Sequence, residues 1–138
     1  MKKLLLLPLL ALCACAPKYS EFVSVADFTG YVKDGFYVYP SGTDIKTKTY
    51  VPMANIEIDF KIGEKSKISE KEGLTPNLKS MNPRAIVPSG KYMTEKAVNT
   101  AKEYGANAII NFHIDLIRTM KGDVIGYNVK GTAVKVTE

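Results

Sequence analysis

The chain has 138 residues, 46% of them hydrophobic, and carries 19 basic against 14 acidic side chains, a formal charge of +5. This length suits one domain. The lysines and arginines are scattered rather than clustered, which does not favour nucleic-acid binding, because such proteins need a basic face.

The N-terminus has the pattern of a secretory leader. Lys2 and Lys3 precede an apolar run of 13 residues, 4–16, broken by Pro8. A membrane-spanning helix needs roughly 20 apolar residues, so this run is too short to span, and no later segment is long and apolar enough. A short positive region followed by such a run is typical of a signal peptide that is cut off. We predict that residues 1–14 are this leader.

Both cysteines of the chain lie at the end of the apolar run. The stretch Leu12-Cys13-Ala14-Cys15 resembles the bacterial lipobox, in which an aliphatic residue and two small residues precede the lipidated cysteine. Cys15 fits this pattern because Ala14 then precedes the cut, whereas Cys13 would place Leu12 where a small residue is required. We predict that Cys15 is acylated and that the acyl chains anchor the protein to a membrane.

The predicted mature chain begins at Cys15. Without residues 1–14 it has 124 residues and 17 basic against 14 acidic side chains, a formal charge of +3. Residues 15–26 are expected to form the lipidated N-terminus and a tether, and residues 27–138 a single domain. Ala16-Pro17-Lys18 offers no acidic signal for inner-membrane retention. We therefore expect the cell envelope and, in a host with two membranes, the periplasmic face of the outer one.

Two strands are predicted in the first half of the domain. Residues 36–39 follow a glycine and precede Pro40-Ser41-Gly42, which is typical of a short strand closed by a turn. In residues 54–62 apolar and polar side chains alternate, which predicts a strand with one buried face. Residues 63–88 are polar and contain three prolines, and they predict a long irregular loop with room for a short helical turn.

A helix and a long β-hairpin are predicted in the second half. Apolar residues at helical spacing predict a helix from about residue 89 to 104, ended by Gly105. Residues 107–136 predict two strands joined by a tight turn at Lys121-Gly122. If each residue of the first strand is paired with the residue of the second whose number brings the sum to 243, apolar side chains face apolar ones and polar side chains face polar ones. The apolar pairs are Ile110–Ala133, Phe112–Gly131, Ile114–Val129 and Leu116–Tyr127, and the polar pairs are Asn111–Thr132, His113–Lys130 and Asp115–Asn128.

The order strand, long loop, helix, strand, strand predicts a two-layer α+β domain. One main helix is expected to cover one face of an antiparallel sheet. Residues 36–39 are expected to add an N-terminal edge strand. The two tyrosines of that strand, Tyr37 and Tyr39, fit packing or a subunit contact better than a ligand platform.

Two stretches of the second half resemble the YbjQ-like family. They are "YGANAIINFHID", residues 104–115, and "GTAVKV", residues 131–136. The resemblance covers the last third of the chain and, more weakly, the strand at residues 53–62. It implies a ring-like homo-oligomer, a pentamer, and the family carries a heavy-metal-binding label. The matching residues are Ala101, Gly105, Ala106, Asn107 and Ala108 in the first motif and Gly131, Thr132, Ala133 and Val134 in the second.

The metal-binding label does not suit the side chains of the predicted mature chain. A soft-metal site needs thiolate or imidazole ligands, and this chain keeps one histidine, His113, opposite Lys130, and no free thiol. We therefore expect no metal site and no cofactor. Two less favoured arrangements stay open: Asn111, His113 and Asp115 as ligands on one strand face, and Glu57, Asp59 and Asp115 as an oxygen site for a hard cation, which requires neighbouring strands.

No catalytic motif is apparent in the sequence. It contains neither a Gly-x-Ser-x-Gly elbow nor a glycine-rich phosphate loop, and Glu57 with Asp59 fits an exposed strand face better than a catalytic pair. The sequence therefore predicts a non-enzymatic, membrane-anchored lipoprotein that self-associates as a binding or scaffolding module, with no nucleic-acid partner. The alternative is a metal-binding or metal-stress protein that uses polar residues of the sheet face.

Overall fold

The computed structural model describes residues 25–43, 45, 48–76 and 83–137. The leader, Cys15 and most of the tether lie outside these residues. The elements in chain order are α1 (Thr29–Lys33), β1 (Tyr37–Pro40), β2 (Thr49–Lys61), β3 (Gly63–Glu64), α2 (Lys67–Lys71), β4 (Ala85–Ile86), α3 (Gly90–Glu103), β5 (Ala108–Arg118) and β6 (Val124–Thr137).

Four strands form one sheet in the order β1-β5-β6-β2, and β3 pairs with β4 in a separate two-stranded sheet. The long strand β6 runs antiparallel to both of its neighbours. The predicted edge strand is present as β1 and runs parallel to β5. The predicted α+β architecture, with one main helix on one sheet face, is confirmed, and its sheet is mixed because of this parallel edge strand.

Helix α3 covers one face of the sheet. Its first turn is capped by Ser89, whose side chain accepts a hydrogen bond from the Tyr92 N–H at 3.2 Å. Gly105 follows the helix with φ 76°, the left-handed conformation that glycine adopts without strain. The core between the two layers is formed by buried residues of α3 and of the strands, among them Met93, Ala97, Val98, Ala101, Ile56, Ile109, Phe112, Val129 and Ala133.

A β-bulge makes the predicted register of β5 and β6 correct in one half and wrong in the other. The pairs from His113–Lys130 to Leu116–Tyr127 are confirmed. Toward the start of β5 the register shifts by one residue, so that Ile110 pairs with Thr132 rather than with Ala133. Asn111 lies at this bulge with φ 54°, a conformation that asparagine tolerates better than most residues.

The bulge also changes which side chains reach the core. Ile109 is fully buried in the core cluster, while Ile110 is only half-buried and lies outside it. The side chain that lies over the bare backbone of Gly131 is therefore that of Ile109, with the Phe112 backbone beside it. The predicted pair Phe112–Gly131 falls within the bulge, where the register between β5 and β6 shifts.

The hairpin turn lies one residue earlier than predicted. The Gly122 N–H donates to the Thr119 carbonyl at 2.9 Å, so Met120 and Lys121 are the central residues of the turn. Gly122 follows with φ 89°. A turn followed by a left-handed glycine is the common three-residue hairpin connection, and it replaces the predicted Lys121-Gly122 turn.

Two segments are more ordered than the sequence indicates. The predicted loop contains β3, α2 and β4, and α2 begins with a reciprocal capping arrangement between Ser66 and Ser69. Helix α1 is not apparent from the sequence, and the Phe28 ring just before it packs edge-on against Phe112 at 6.0 Å. Strand β2 begins earlier than predicted, and Pro52 is tolerated in it because β2 is an edge strand of the sheet.

Candidate functional site

The first candidate surface is the sheet face opposite α3, which we call the polar face. The side chains of β2, β6 and β5 lie there in cross-strand rows, because register and alternation place them on one side. One row is Glu57, Lys130 and His113, and the next is Asp59, Asn128 and Asp115. The structure thus brings together most of the polar residues that the sequence singled out.

Hydrogen bonds and one ion pair join side chains of the polar face. The Asn128 amide donates to Glu57 Oε1 at 3.2 Å and to Asp59 Oδ1 at 2.5 Å. Lys130 Nζ lies 3.6 Å from Glu57 Oε1, and both side chains are exposed. Exposed pairs of this kind contribute little to stability because water screens them. This arrangement fits the predicted solvated strand face better than a catalytic carboxylate pair.

His113 is held by its own strand. Its Nδ1 lies 2.8 Å from the Asn111 carbonyl oxygen, and because a carbonyl only accepts, Nδ1 carries the hydrogen. The Nε2 atom lies 3.5 Å from Asp115 Oδ2. Asn111 therefore contributes its carbonyl to the imidazole at the bulge, and this contact orients the ring and leaves Nε2 as its one nitrogen with a free lone pair.

The structure argues against the hard-cation arrangement. That site requires β2 and β5 to be neighbours, but β6 lies between them. Strands two places apart are separated by about 10 Å, whereas oxygen ligands lie about 2.3–2.6 Å from a calcium ion. Within the described parts of the chain, no group of three or more His, Cys, Asp or Glu side chains is placed to hold a metal ion.

The second candidate surface, the α2–α3 groove, is a cavity of about 390 Å³ between the end of β2, α2 and the start of α3. The Tyr92 hydroxyl donates to Glu72, and Lys96 Nζ lies 2.5 Å from Glu72 Oε1. Phe60 packs edge-on against the Tyr92 ring at 6.0 Å. The wall is divided between apolar and polar residues: Ile58, Phe60, Ile68, Leu74, Ile86, Pro88 and Tyr92 on one hand, and Asp59, Lys61, Glu64, Ser66, Ser69, Glu72 and Lys96 on the other.

Sequence reasoning missed this groove. Its residues come from separate elements, and Glu72 lies in the segment that the sequence predicts as an irregular loop. The capping pattern at Ser66 was the one local signal for α2, but Ser69 in place of the usual Glu or Gln makes that pattern weak. No spacing along the chain could have brought Glu72 to Tyr92 and Lys96.

Two shifted pKa values occur at α1, away from both surfaces. Hydrogen bonds from the backbone N–H and the hydroxyl of Thr29 lower the pKa of Asp27. Burial raises the pKa of Tyr31, and the negative charge of Glu95 adds to this effect. Neither group belongs to the polar face or to the groove, so neither supports a catalytic role there.

No protein-family model and no curated protein matches this chain. The YbjQ-like resemblance, with its metal-binding label and its ring of subunits, therefore stays a prediction. Cys15 and the leader lie outside the described residues, so lipidation also stays a prediction. In the parts of the chain that the structure describes, no helix is both long and apolar enough to cross a bilayer.

Proposed function

We propose that this protein is a lipid-anchored bacterial lipoprotein of the cell envelope, attached through Cys15, whose domain self-associates and serves as a non-enzymatic binding or scaffolding module. The leader and the lipobox support the anchor. The resemblance to the YbjQ-like family supports assembly into a ring of subunits. In a host with two membranes, the protein faces the periplasm from the outer one.

The α2–α3 groove is the observation that carries the binding role. Ligand pockets are usually about 300–1,000 Å³ and combine apolar walls with polar groups that orient the ligand. The groove has this size, and its wall combines apolar side chains with charged and hydroxyl groups. Among its three carboxylates, Asp59, Glu64 and Glu72, the last is already bonded to Tyr92 and Lys96. A carboxylate used in this way joins two helices, which suits a binding surface better than a catalytic centre.

The free side of β2 supports self-association. Among the described residues, no strand pairs with that side of this 13-residue edge strand. Tyr50, Val51 and Met53 in its first half expose 40%, 54% and 46% of their surface. Unpaired strand edges and exposed apolar side chains are common features of protein contacts, so this part of β2 is a suitable contact between copies.

The lipid anchor is tested by Cys15→Ser in the full chain. We expect this variant to remain unprocessed or to leave the membrane fraction, while the matched control Cys13→Ser is cut, acylated and anchored like the wild type. The measurement is membrane fractionation with intact-mass analysis. Mature, acylated Cys15→Ser protein in the membrane fraction would refute the lipobox assignment.

Self-association is tested by native mass spectrometry of residues 27–138, purified without added metal or chelator. A ring of subunits supports the proposal, and a monomer contradicts it. A reproducible extra mass per subunit would identify the class of bound ligand. If that mass is a metal and is lost in a His113→Ala, Asp115→Ala double variant, the metal-binding alternative replaces this proposal.

A further inference from the structure

The end of the β5–β6 hairpin, residues 116–125, exposes apolar side chains beyond the core; we call it the hairpin tip. Met120 at the turn is fully exposed, and Leu116 and Ile125 expose 49% and 47% of their surface. Leu116 has the same orientation as Ile114, which packs against the core. The core therefore ends before the tip, and the apolar side of the hairpin continues into solvent.

Two basic residues lie close to Met120 in the chain. Arg118 and Lys121 belong to the hairpin tip, and Asp123 is its one acidic residue. The Arg118 guanidinium donates to the Gly122 carbonyl at 2.8 Å. This bond and the hydrogen bonds between Thr119 and the residues after it hold the turn in one shape, so Met120 is presented on a rigid projection.

We propose that the hairpin tip docks on the bilayer that holds the lipid anchor, with Met120 among the acyl chains and Arg118 and Lys121 at anionic headgroups. This inference rests on the proposed anchoring through Cys15. Apolar side chains next to basic ones are the combination that binds at an anionic membrane surface. A projecting turn presents little area to a second protein, whereas a bilayer accepts it without a matching pocket.

The length of the tether allows the anchor and the tip to meet one bilayer. Cys15 and Val25 are ten residues apart, which span up to about 33 Å when extended. Phe28, near the start of the described chain, packs against Phe112 in the middle of β5. Met120 is eight residues beyond Phe112, six of them in β5, which span at most about 26 Å. The tether can therefore span the distance between the base of the domain and its tip.

Because the protein is anchored, a small docking surface is enough to hold the hairpin tip at the membrane. A tethered tip stays at a high effective concentration near the membrane, so that a weak contact is populated. The same three exposed apolar residues on a freely diffusing domain would bind vesicles poorly. Docking would fix the domain with β5 and β6 directed at the membrane, leaving the α2–α3 groove at a constant orientation to the surface.

The test places a polarity-sensitive fluorophore on Met120→Cys in the full, acylated chain. In that chain Cys13 has been removed and Cys15 is blocked, so the new thiol is labelled alone. The protein is reconstituted in phosphatidylcholine vesicles containing phosphatidylglycerol, with or without brominated acyl chains. We expect brominated lipid to quench the label at residue 120, and a label on Asn99→Cys, exposed on α3, to keep its fluorescence.

A charge variant tests the role of the basic residues while the label stays at residue 120. Lys121→Gln in the Met120→Cys background should lower the docking equilibrium constant about fivefold, since one lysine near an anionic surface contributes about 1 kcal/mol. Lys91→Gln at the start of α3 is the matched control and should leave docking unchanged. Vesicles of phosphatidylcholine alone should give less quenching at residue 120.

Each failure has its own signature. An acylated protein that floats with vesicles but shows no quenching at residue 120 overturns docking and leaves the anchor intact. A protein that lacks the acyl mass and does not float contradicts the anchor itself. A shift of the residue-120 label that accompanies oligomer formation without lipid would make the tip a contact between copies, and this also overturns the inference.

Discussion

Asn111 sets the register at the start of β5. Its φ of 54° lies in the left-handed region, which costs an ordinary L-residue about 1–2 kcal/mol. We expect Asn111→Val to lower the free energy of unfolding by about this amount, because a β-branched side chain fits that region worst. Asn111→Gly should leave it nearly unchanged. Urea denaturation of both variants measures the difference, and equal stabilities would contradict the bulge geometry.

Gly126 is needed because β6 passes close to the backbone of β2. A Cβ atom at this position would overlap the carbonyl oxygen of Phe60, a backbone atom that cannot move aside cheaply. We expect Gly126→Ala to destabilise the domain by about 1–3 kcal/mol, the usual cost of overpacking. Gly63→Ala is the matched control, since no atom lies within 4 Å of the position that its methyl group would take. Thermal unfolding of both variants provides the comparison.

The sequence predicts the correct face for most residues of the hairpin but not the bulge. From His113 onward one register alone keeps apolar and polar side chains apart, and the structure confirms it. Before Asn111 the chain reads Ala108, Ile109 and Ile110, three apolar residues in a row. Either isoleucine could then fill the core, and the alternation of apolar and polar residues does not distinguish them. The bulge at Asn111 places Ile109 in the core.

At the scale of the elements, α1 packs near α3, and this contact predicts a response to alkaline pH. Burial, with Glu95 nearby, raises the pKa of Tyr31 above its usual value of about 10. The folded state therefore holds the phenol proton more tightly than the unfolded state. The resulting stabilisation is complete below about pH 10 and is lost as the pH rises from there through the folded-state pKa.

Tyr31→Phe removes this titrating group and keeps the ring. We expect the variant to lose less stability than the wild type between about pH 9 and about pH 11. Urea denaturation at the two pH values measures the loss. Tyr104→Phe, with an exposed ring, is the control and should behave as the wild type; an equal loss in Tyr31→Phe would disprove the packing effect.

Length decided which helices could be predicted. Helix α3 and strand β2 are long enough to show a period. The sequence predicts α3 close to its observed position and the second half of β2, which begins five residues earlier than predicted. Helices α1 and α2 have five residues each, too few to show a stripe of buried side chains. Packing against the rest of the domain stabilises these two helices, and the local sequence does not show that packing.

At the scale of the whole molecule, β3, α2 and β4 form a small unit beside the main sheet, with its own two-stranded sheet. Its principal described tie to α3 is Glu72, which accepts from Tyr92 and pairs with Lys96. Ala85 and Ile86 of β4 are buried, but neither belongs to the core cluster between α3 and the main sheet. The unit is therefore expected to open by itself at a lower free energy than global unfolding, which would give the groove an adjustable wall.

Glu72→Gln tests this division of the domain. The change keeps the shape of the side chain but removes the charge that Lys96 and Tyr92 share, and for a partly exposed contact we expect a loss of about 1 kcal/mol. Amide exchange in α2 should then be about fivefold faster, while exchange in β6 and the melting temperature stay nearly constant. Glu70→Gln, which removes the exposed pair with Lys65, is the control and should change little. If Glu72→Gln instead speeds exchange in β6 as much as in α2, the domain opens as one cooperative unit and the groove has a fixed shape.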